Sequence, residues 1–538
     1  STLVFGTPLV VFGLQSKLLA DTDYGLAWCA VIFAIVYALA AWFVLRRAGE
    51  RLRVLAQAFA ALAIGFATLA IPLAFDARWS SASWALEGAA LVWVGWRQGR
   101  LLARIAGSVL QLIAGAAWLW HGLIMTEWLV SDWLGTVMLA SAGLLSSRVL
   151  SLPADDAEGP PGARFLSIAL GVWGLLWWFG AGAAQIVVTA SSASTLGALL
   201  LLVAISALCL EWLGARLPWA FARAAVCCLP ALLVILAIGS ALSVNHPFTS
   251  LAALAWPCAL CALIFILRLR KEQRGALTDS AHLLVLWLTT ALVSWEFARL
   301  CGRWIAPLES WLEATWLLIP SVSVACLLIA KRRGTWPLAA RHRLYLHFGA
   351  LPVLFTLAIG VLWLSVRAPG AAWPIPYMPL LNPVDLLSVA ALAVMLMWWR
   401  ACEEINGAGL QAGMAIAGLV LSFVWLNAAL LRSLYFWAGV PYELSVQMNS
   451  TSVQASLSVL WASTALLAML AGSRASERAV WMSGVSLMAV VVAKLLLVDL
   501  ASSGTIARIV SFIGVGLLMM LVGYLAPVPP RQVDVATA

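Results

Sequence analysis

The feature that most constrains this chain is a repeat of length rather than of sequence. Apolar runs of about 20 residues follow one another from Thr2 to Leu525, broken only by short polar connections. Each run is long enough to cross, as a helix, a hydrocarbon core about 30 Å thick. Composition agrees: of 538 residues, 64% are hydrophobic and 10% charged. A soluble domain is about 45–50% apolar and about 25% charged. The sequence therefore predicts an all-α, polytopic transmembrane helical bundle and excludes a soluble globular core.

Length and flanking charge place about 18 spans, near 3–19, 24–46, 52–75, 79–96, 101–121, 132–150, 164–189, 194–213, 220–243, 247–267, 279–301, 311–330, 342–366, 383–400, 407–431, 451–472, 478–498 and 505–525. Most of the 32 basic residues fall after even-numbered spans, as in Arg46, Arg47, Arg51 and Arg53, or Lys331, Arg332 and Arg333. By the positive-inside rule this predicts that both termini are cytoplasmic. The loop LPADDAEGPPG at 152–162 suggests two groups, 1–151 with about six spans and 164–538 with about twelve. On the opposite side, segments 367–385 and 432–450 are long, aromatic and apolar. They read either as interfacial segments capping a cavity or as Trp and Tyr lying at headgroup level.

The net charge of +9 fits arginines facing anionic lipid rather than nucleic acid. The start lacks the basic region and cleavage site of a signal peptide. Nine cysteines include the pair Cys258 and Cys261, but no His or acid lies near them, so they read as buried inert thiols. There is no P-loop, GxSxG, HExxH or dinucleotide fingerprint. No cofactor and no metal site is expected. The only DxD, Asp21-Thr22-Asp23, lies in a very short outer loop.

Ionisable residues inside the bilayer are costly and usually face protein or water. Glu87 is the leading one, about 12 Å beyond Trp79 at 1.5 Å per residue. Trp84 lies one turn away, and Asp76 and Arg78 sit at the mouth of the same helix. Glu87 reads either as a proton-linked or substrate-binding carboxylate or as a structural acid paired or protonated in place. Glu296 is flanked by tryptophan, as is Glu211, which reads as interfacial. Lys494, Asp499 and Arg508 form a last hairpin, either a structural clasp or the lining of an outer mouth. Tyr377, Arg432 and Tyr442 complete the outer-rim candidates. Gln57, Gln111, His121, Gln185 and Asn427 read as hydrogen-bonding glue between helices. Thirty tryptophans, several inside spans as in 118–120 and 173–178, suit packing first and sugar rings or lipid tails second.

Three segments carry a resemblance: FGTPLVVFGLQ (5–15), IPLAFDARWSSASWALEGAALVWVGWRQ (71–98) and AKLLLVDLASSGTIARIVSFIGVGLLMMLVGYL (493–525). They are similar to a bacterial family of predicted multi-pass membrane proteins, domain of unknown function 2339. The WALEGA run and the K-x4-D-L…R-I-x-S-F-x-G-x-G hairpin are its most specific parts. The resemblance implies a bacterial inner membrane protein, a longer chain with an N-terminal region absent here, and a periplasmic partner. It implies no reaction.

The residues and the resemblance together leave three readings. One is a non-enzymatic component that transports or handles an envelope lipid or glycan, with Glu87 in the path. The second is a membrane-embedded transferase at the periplasmic face. The third is a scaffold for a periplasmic or membrane protein partner. Membrane lipids are expected contacts in all three.

Overall fold

The computed structural model describes residues 2–19, 24–48, 52–74, 77–125, 133–152, 162–217, 219–243, 246–305, 309–373, 376–402, 408–495, 497, 520 and 524. Every regular element among them is helical. The chain divides into two compact units, Ser1–Val285 and Leu286–Ala538. The boundary between these units falls inside one helix, and most of the 152–162 loop lies outside the described residues.

The first unit holds α1 (Thr2–Leu18), α2 (Gly25–Ala48), α3 (Arg53–Ala74), α4 (Ala77–Arg97), α5 (Leu101–Met125), α6 (Trp133–Leu150), α7 (Ala163–Thr189), α8 (Thr195–Arg216), α9 (Ala220–Leu242) and α10 (Ala252–Leu269). It also holds the start of α11 (Ala276–Ile305). These helices are apolar all round, which is the pattern of helices whose outer faces meet lipid. In α2 only 11% of the spanning window is buried, and Ile32, Leu39 and Trp42 are exposed. Lipid offers no hydrophobic drive for helices to associate, so they pack through small residues and hydrogen bonds. At the α6–α7 crossing, a Cβ on Gly143 would lie 2.9 Å from Gly174 Cα, and one on Gly174 would lie 2.8 Å from Ala140 O. Lower on the same pair, Ser167 Oγ donates to Ser147 O at 2.8 Å. Gln111 and Ser146 are hydrogen-bonded at 2.9 Å, tying α5 to α6. Trp178 Nε1 donates to Ser206 Oγ at 2.9 Å and ties α7 to α8.

The second unit continues α11 and adds α12 (Glu309–Arg333), α13 (Leu338–Arg343), α14 (Ala350–Arg367), α15 (Pro383–Ala401), α16 (Ala408–Ala438), α17 (Leu444–Asn449), α18 (Thr451–Ala475) and α19 (Arg478–Lys494). A π-helical turn, Leu344–Gly349, joins α13 to α14. A π turn loosens the carbonyl ladder, and two indoles brace this one. Trp398 Nε1 donates to Leu346 O at 2.8 Å and Trp287 Nε1 to Gly349 O at 2.9 Å.

Among the described residues, seventeen long helices stand where the first seventeen expected spans lie. Thirteen are long and apolar enough by length and composition alone to cross a membrane. The eighteenth, 505–525, lies outside the described residues except for Met520 and Tyr524. One boundary differs in a way that matters. The segment 432–450, expected as a loop, is mostly helix, because α16 continues to Ala438 and α17 occupies Leu444–Asn449. No breaker precedes Gly439, whose φ of +67° supplies the left-handed residue that ends a helix. Arg432 therefore sits on a helix, not in a loop.

Candidate functional site: a tryptophan-lined cavity beside α7

In the first unit, α5, α6 and α7 enclose a half-open cavity of about 440 Å³. Its walls include Trp118 from α5, Trp133 from the start of α6, and Trp173, Trp177 and Gln185 from α7. The rings stand edge-on to one another: Trp118 and Trp177 centroids are 5.2 Å apart at 86°, and Trp173 and Trp177 are 5.7 Å apart at 81°. Such T-shaped pairs are the favoured aromatic geometry. Gly115 makes room for them, since a Cβ there would lie 3.0 Å from Trp177 Cζ2. Behind the cavity, Ala85, Ala114, Leu139 and Ala140 form a packed cluster against which Trp84 rests.

The cavity walls are mostly apolar, with Thr136 and Gln185 as polar side chains besides the indoles, and the indole nitrogens of two wall residues are enclosed among the helices rather than presented to the cavity. The Nε1 atoms of Trp118 and Trp173 are buried and have no acceptor among the described residues. Leaving a buried donor unsatisfied costs about 1–3 kcal/mol. A guest with an apolar body fits such a wall chemically, and 440 Å³ lies within the usual range for small-molecule sites.

In the second unit the outer-rim candidates converge on a buried knot. Arg432 and Asp385 are both fully buried, with Nη1 donating to Oδ1 at 2.5 Å. Arg432 Nε donates to Ala368 O at 3.1 Å and Nη2 to Leu364 O at 3.0 Å. Asp385 also accepts from Trp425 Nε1 at 3.1 Å and from Asn382 Nδ2 at 2.5 Å. Asn382 caps α15 by accepting from Asp385 N–H at 2.9 Å, and Pro383 starts the helix. Gly370 comes close to Arg432 and Asn382: its φ is +81°, and a Cβ would lie 3.0 Å from Arg432 Cδ and 3.3 Å from Asn382 Oδ1. Tyr442 OH donates to Ser365 O at 2.8 Å, and Tyr377 stacks on Phe436 at 4.2 Å. Burial pushes the phenols of Tyr377 and Tyr442 above the ordinary tyrosine range, so both stay neutral donors near pH 7. The donors and acceptors of this knot satisfy one another, which is the arrangement of a clasp.

The profile of DUF2339, described as a predicted membrane protein, matches residues 1–157 and 134–529. The chain belongs to the DUF2339 family. No curated protein and no solved structure matches it. It is an integral membrane protein with many apolar helices.

In this DUF2339 chain the sequence candidates do not share one place. Glu87 lies in α4, half-buried, with one carboxylate oxygen enclosed. Glu211 is in the first unit too, ion-paired with the buried Arg270, whose Nη1 also donates to Arg223 O at 2.6 Å. Glu296 lies in the second unit, ion-paired with Arg299 one turn along α11. Lys494 Nζ donates to Gln454 O at 3.0 Å and Ser458 Oγ at 2.7 Å, which ties α19 to α18. Asn427 accepts from Trp461 Nε1 at 2.7 Å, whereas Gln57 is exposed. Asp21, Asp23, Asp76, Asp499 and Arg508 lie outside the described residues, as do the side chains of Arg78 and His121. Cys258 and Cys261 are free and lie on the exposed face of α10 rather than in a core. The thiols turn outward because lipid, unlike water, accepts an apolar side chain on the helix surface.

Sequence reasoning missed Asp385, Asn382 and Trp425. The signal was present in NPVD, an Asn cap followed by Pro and an acid in the first turn. It also missed Trp133 as a cavity wall, because nothing in one sequence tells which tryptophans of separate helices meet.

Proposed function

We propose that this protein binds and moves an envelope amphiphile, a lipid or a lipid-linked glycan, within the membrane. The observation that carries the reading is the half-open, tryptophan-lined and mostly apolar cavity of the first unit. Indole faces suit acyl chains and sugar rings alike. Glu87 lies on the helix whose Trp84 packs behind this wall, so its carboxylate belongs to the same region of the first unit.

A second reading, a scaffold for a periplasmic protein, is favoured by one observation in the second unit. The clasped outer segments carry Trp373 and Trp437, each 68% exposed. The transferase reading has less support, because the polar groups that converge there are occupied with one another.

The test is native mass spectrometry of protein purified in mild detergent. Ala184 lines the cavity, so Ala184→Trp fills it. The expected result is a lipid adduct on the wild type that Ala184→Trp loses, while Val188→Trp on the exposed face of α7 keeps it. Equal adducts on all three proteins would overturn the reading.

A further inference from the structure

A second, larger cavity of about 1280 Å³ lies along the other part of α7, in the same unit. It begins beside Gly162 and Arg164, where α7 starts, and its walls climb through Val172 and Leu175 to Phe179. Both cavities are lined by Leu176 and Gly180. The two are therefore neighbours along one helix. From Gly162 to Gln185 the track is about 35 Å long at 1.5 Å per residue. A hydrocarbon core is about 30 Å thick, so each leaflet contributes roughly 15 Å. The track is about twice the depth that a single leaflet would require.

Among the described residues the mouth at the α7 start carries basic side chains. Arg164 lines it and is exposed. Trp96 lines it too, and behind Trp96 stands Arg104, its guanidinium 5.8 Å from the ring centroid. Arg104 is 3% exposed, its Nε is buried without an acceptor, and it has no acidic partner among the described residues. Arg164 at the mouth of an apolar groove, with Arg104 behind Trp96 and neither bonded to a carboxylate among the described residues, complements a lipid with an anionic head. The opposite end of the track is neutral, marked by Gln185 and the indoles.

We infer that the α7 track seats a single-chain lipid phosphate whose chain is longer than one leaflet, with its phosphate at Arg164 and its chain running past Gly180 toward the tryptophan cavity. The inference rests on the amphiphile reading above and names the class of amphiphile. Gly180 lines both cavities. A Cβ there would meet nothing within 4 Å, so a large side chain blocks the track without colliding with the fold. This separates it from Gly174 on the same helix, which is packed against backbone.

The test uses the full chain in detergent, with thermal stabilisation and direct binding as readouts. The probes are a C55 polyprenyl monophosphate, farnesyl monophosphate, the C55 alcohol and dioleoyl phosphatidic acid. The C55 phosphate is expected to bind at least about tenfold more tightly than the other three, a step of about 1.4 kcal/mol. Arg164→Gln is expected to remove most of the preference for phosphate over alcohol. Gly180→Phe is expected to bring the C55 phosphate down to the level of farnesyl phosphate and leave the latter unchanged. Equal binding of C15 and C55 phosphates, or an unaltered C55 affinity in Gly180→Phe, overturns the inference. Phosphatidic acid binding as well as the C55 phosphate also overturns it, since ordinary lipids would then occupy two separate seats. In any of these cases the amphiphile reading stands if Ala184→Trp still loses its adduct, so the two failures are distinguishable.

Discussion

Arg432→Met is the most exacting test of the second unit. The substitution retains much of the apolar stem and removes the guanidinium from a site that is 0% exposed. Asp385 is left as a buried carboxylate with donors only from Trp425, Asn382 and its helix cap, and Ala368 O and Leu364 O lose their side-chain donors. Breaking a buried ion pair by deleting one partner costs about 3–5 kcal/mol, mostly because a charge is left uncompensated. At 1.4 kcal/mol per factor of ten, the folded-to-unfolded ratio of this region falls roughly a hundred- to several-thousand-fold. For a unit of about 250 residues, 1 kcal/mol moves Tm by about 2–4 °C, so the expected fall is about 6–20 °C. Cys402 reports on the same unit, being 0% exposed in its main core cluster. A variant retaining only Cys402 can be heated in detergent with a thiol-reactive fluorophore that brightens as the core opens. The double variant Arg432→Met/Asp385→Leu removes both charges and is expected to recover at least half of the loss, as apolar replacements of buried pairs often do. A single variant melting within 2 °C of its parent would refute a desolvated pair. A double variant no better than the single would refute the orphan charge as the cause.

Two further outcomes follow from named contacts. Gly174→Leu is expected to prevent accumulation of folded protein, since its Cβ would sit 2.8 Å from both Ala140 O and Leu144 N, whereas Gly180→Phe accumulates normally by fluorescence-detected size exclusion. Tyr442→Phe removes one hydrogen bond to Ser365 O, worth about 1 kcal/mol, and alters the alkaline limb of stability. A phenol whose folded pKa is raised above 10 stays protonated when the unfolded one ionises. Its contribution is therefore full below about pH 10 and is lost as pH rises through the folded value. Melting between pH 9 and 12 is expected to fall less steeply in Tyr442→Phe, and an identical slope refutes the assignment.

The membrane character and the run of helices were legible in the sequence because each span is a local matter. In lipid a segment satisfies its own backbone bonds, so length and hydropathy suffice to place it. Arg432, Tyr377 and Tyr442 were also legible, as polar or aromatic residues in segments too apolar for open loops. What they do was not. Arg432 was read as a rim residue, and it lies on α16 with its charge consumed by Asp385, 47 residues earlier in the chain. Glu87 stood out as a lone acid in an apolar run, yet the same signal described Glu211 and Glu296, which the structure pairs with Arg270 and Arg299.

By itself the sequence determined the solvent, the element type and the order of the helices, all of which depend on the chemistry of consecutive residues. Only the tertiary structure decided which of thirty tryptophans share a wall, and that Leu176 and Gly180 line two cavities at once. The reason is physical. In an apolar medium every face of a helix is compatible with lipid, so hydropathy does not mark the face turned to a neighbour. Close approach of small residues, as at Gly143 and Gly174, chooses that face, and the choice leaves the rest of α7 open as a groove.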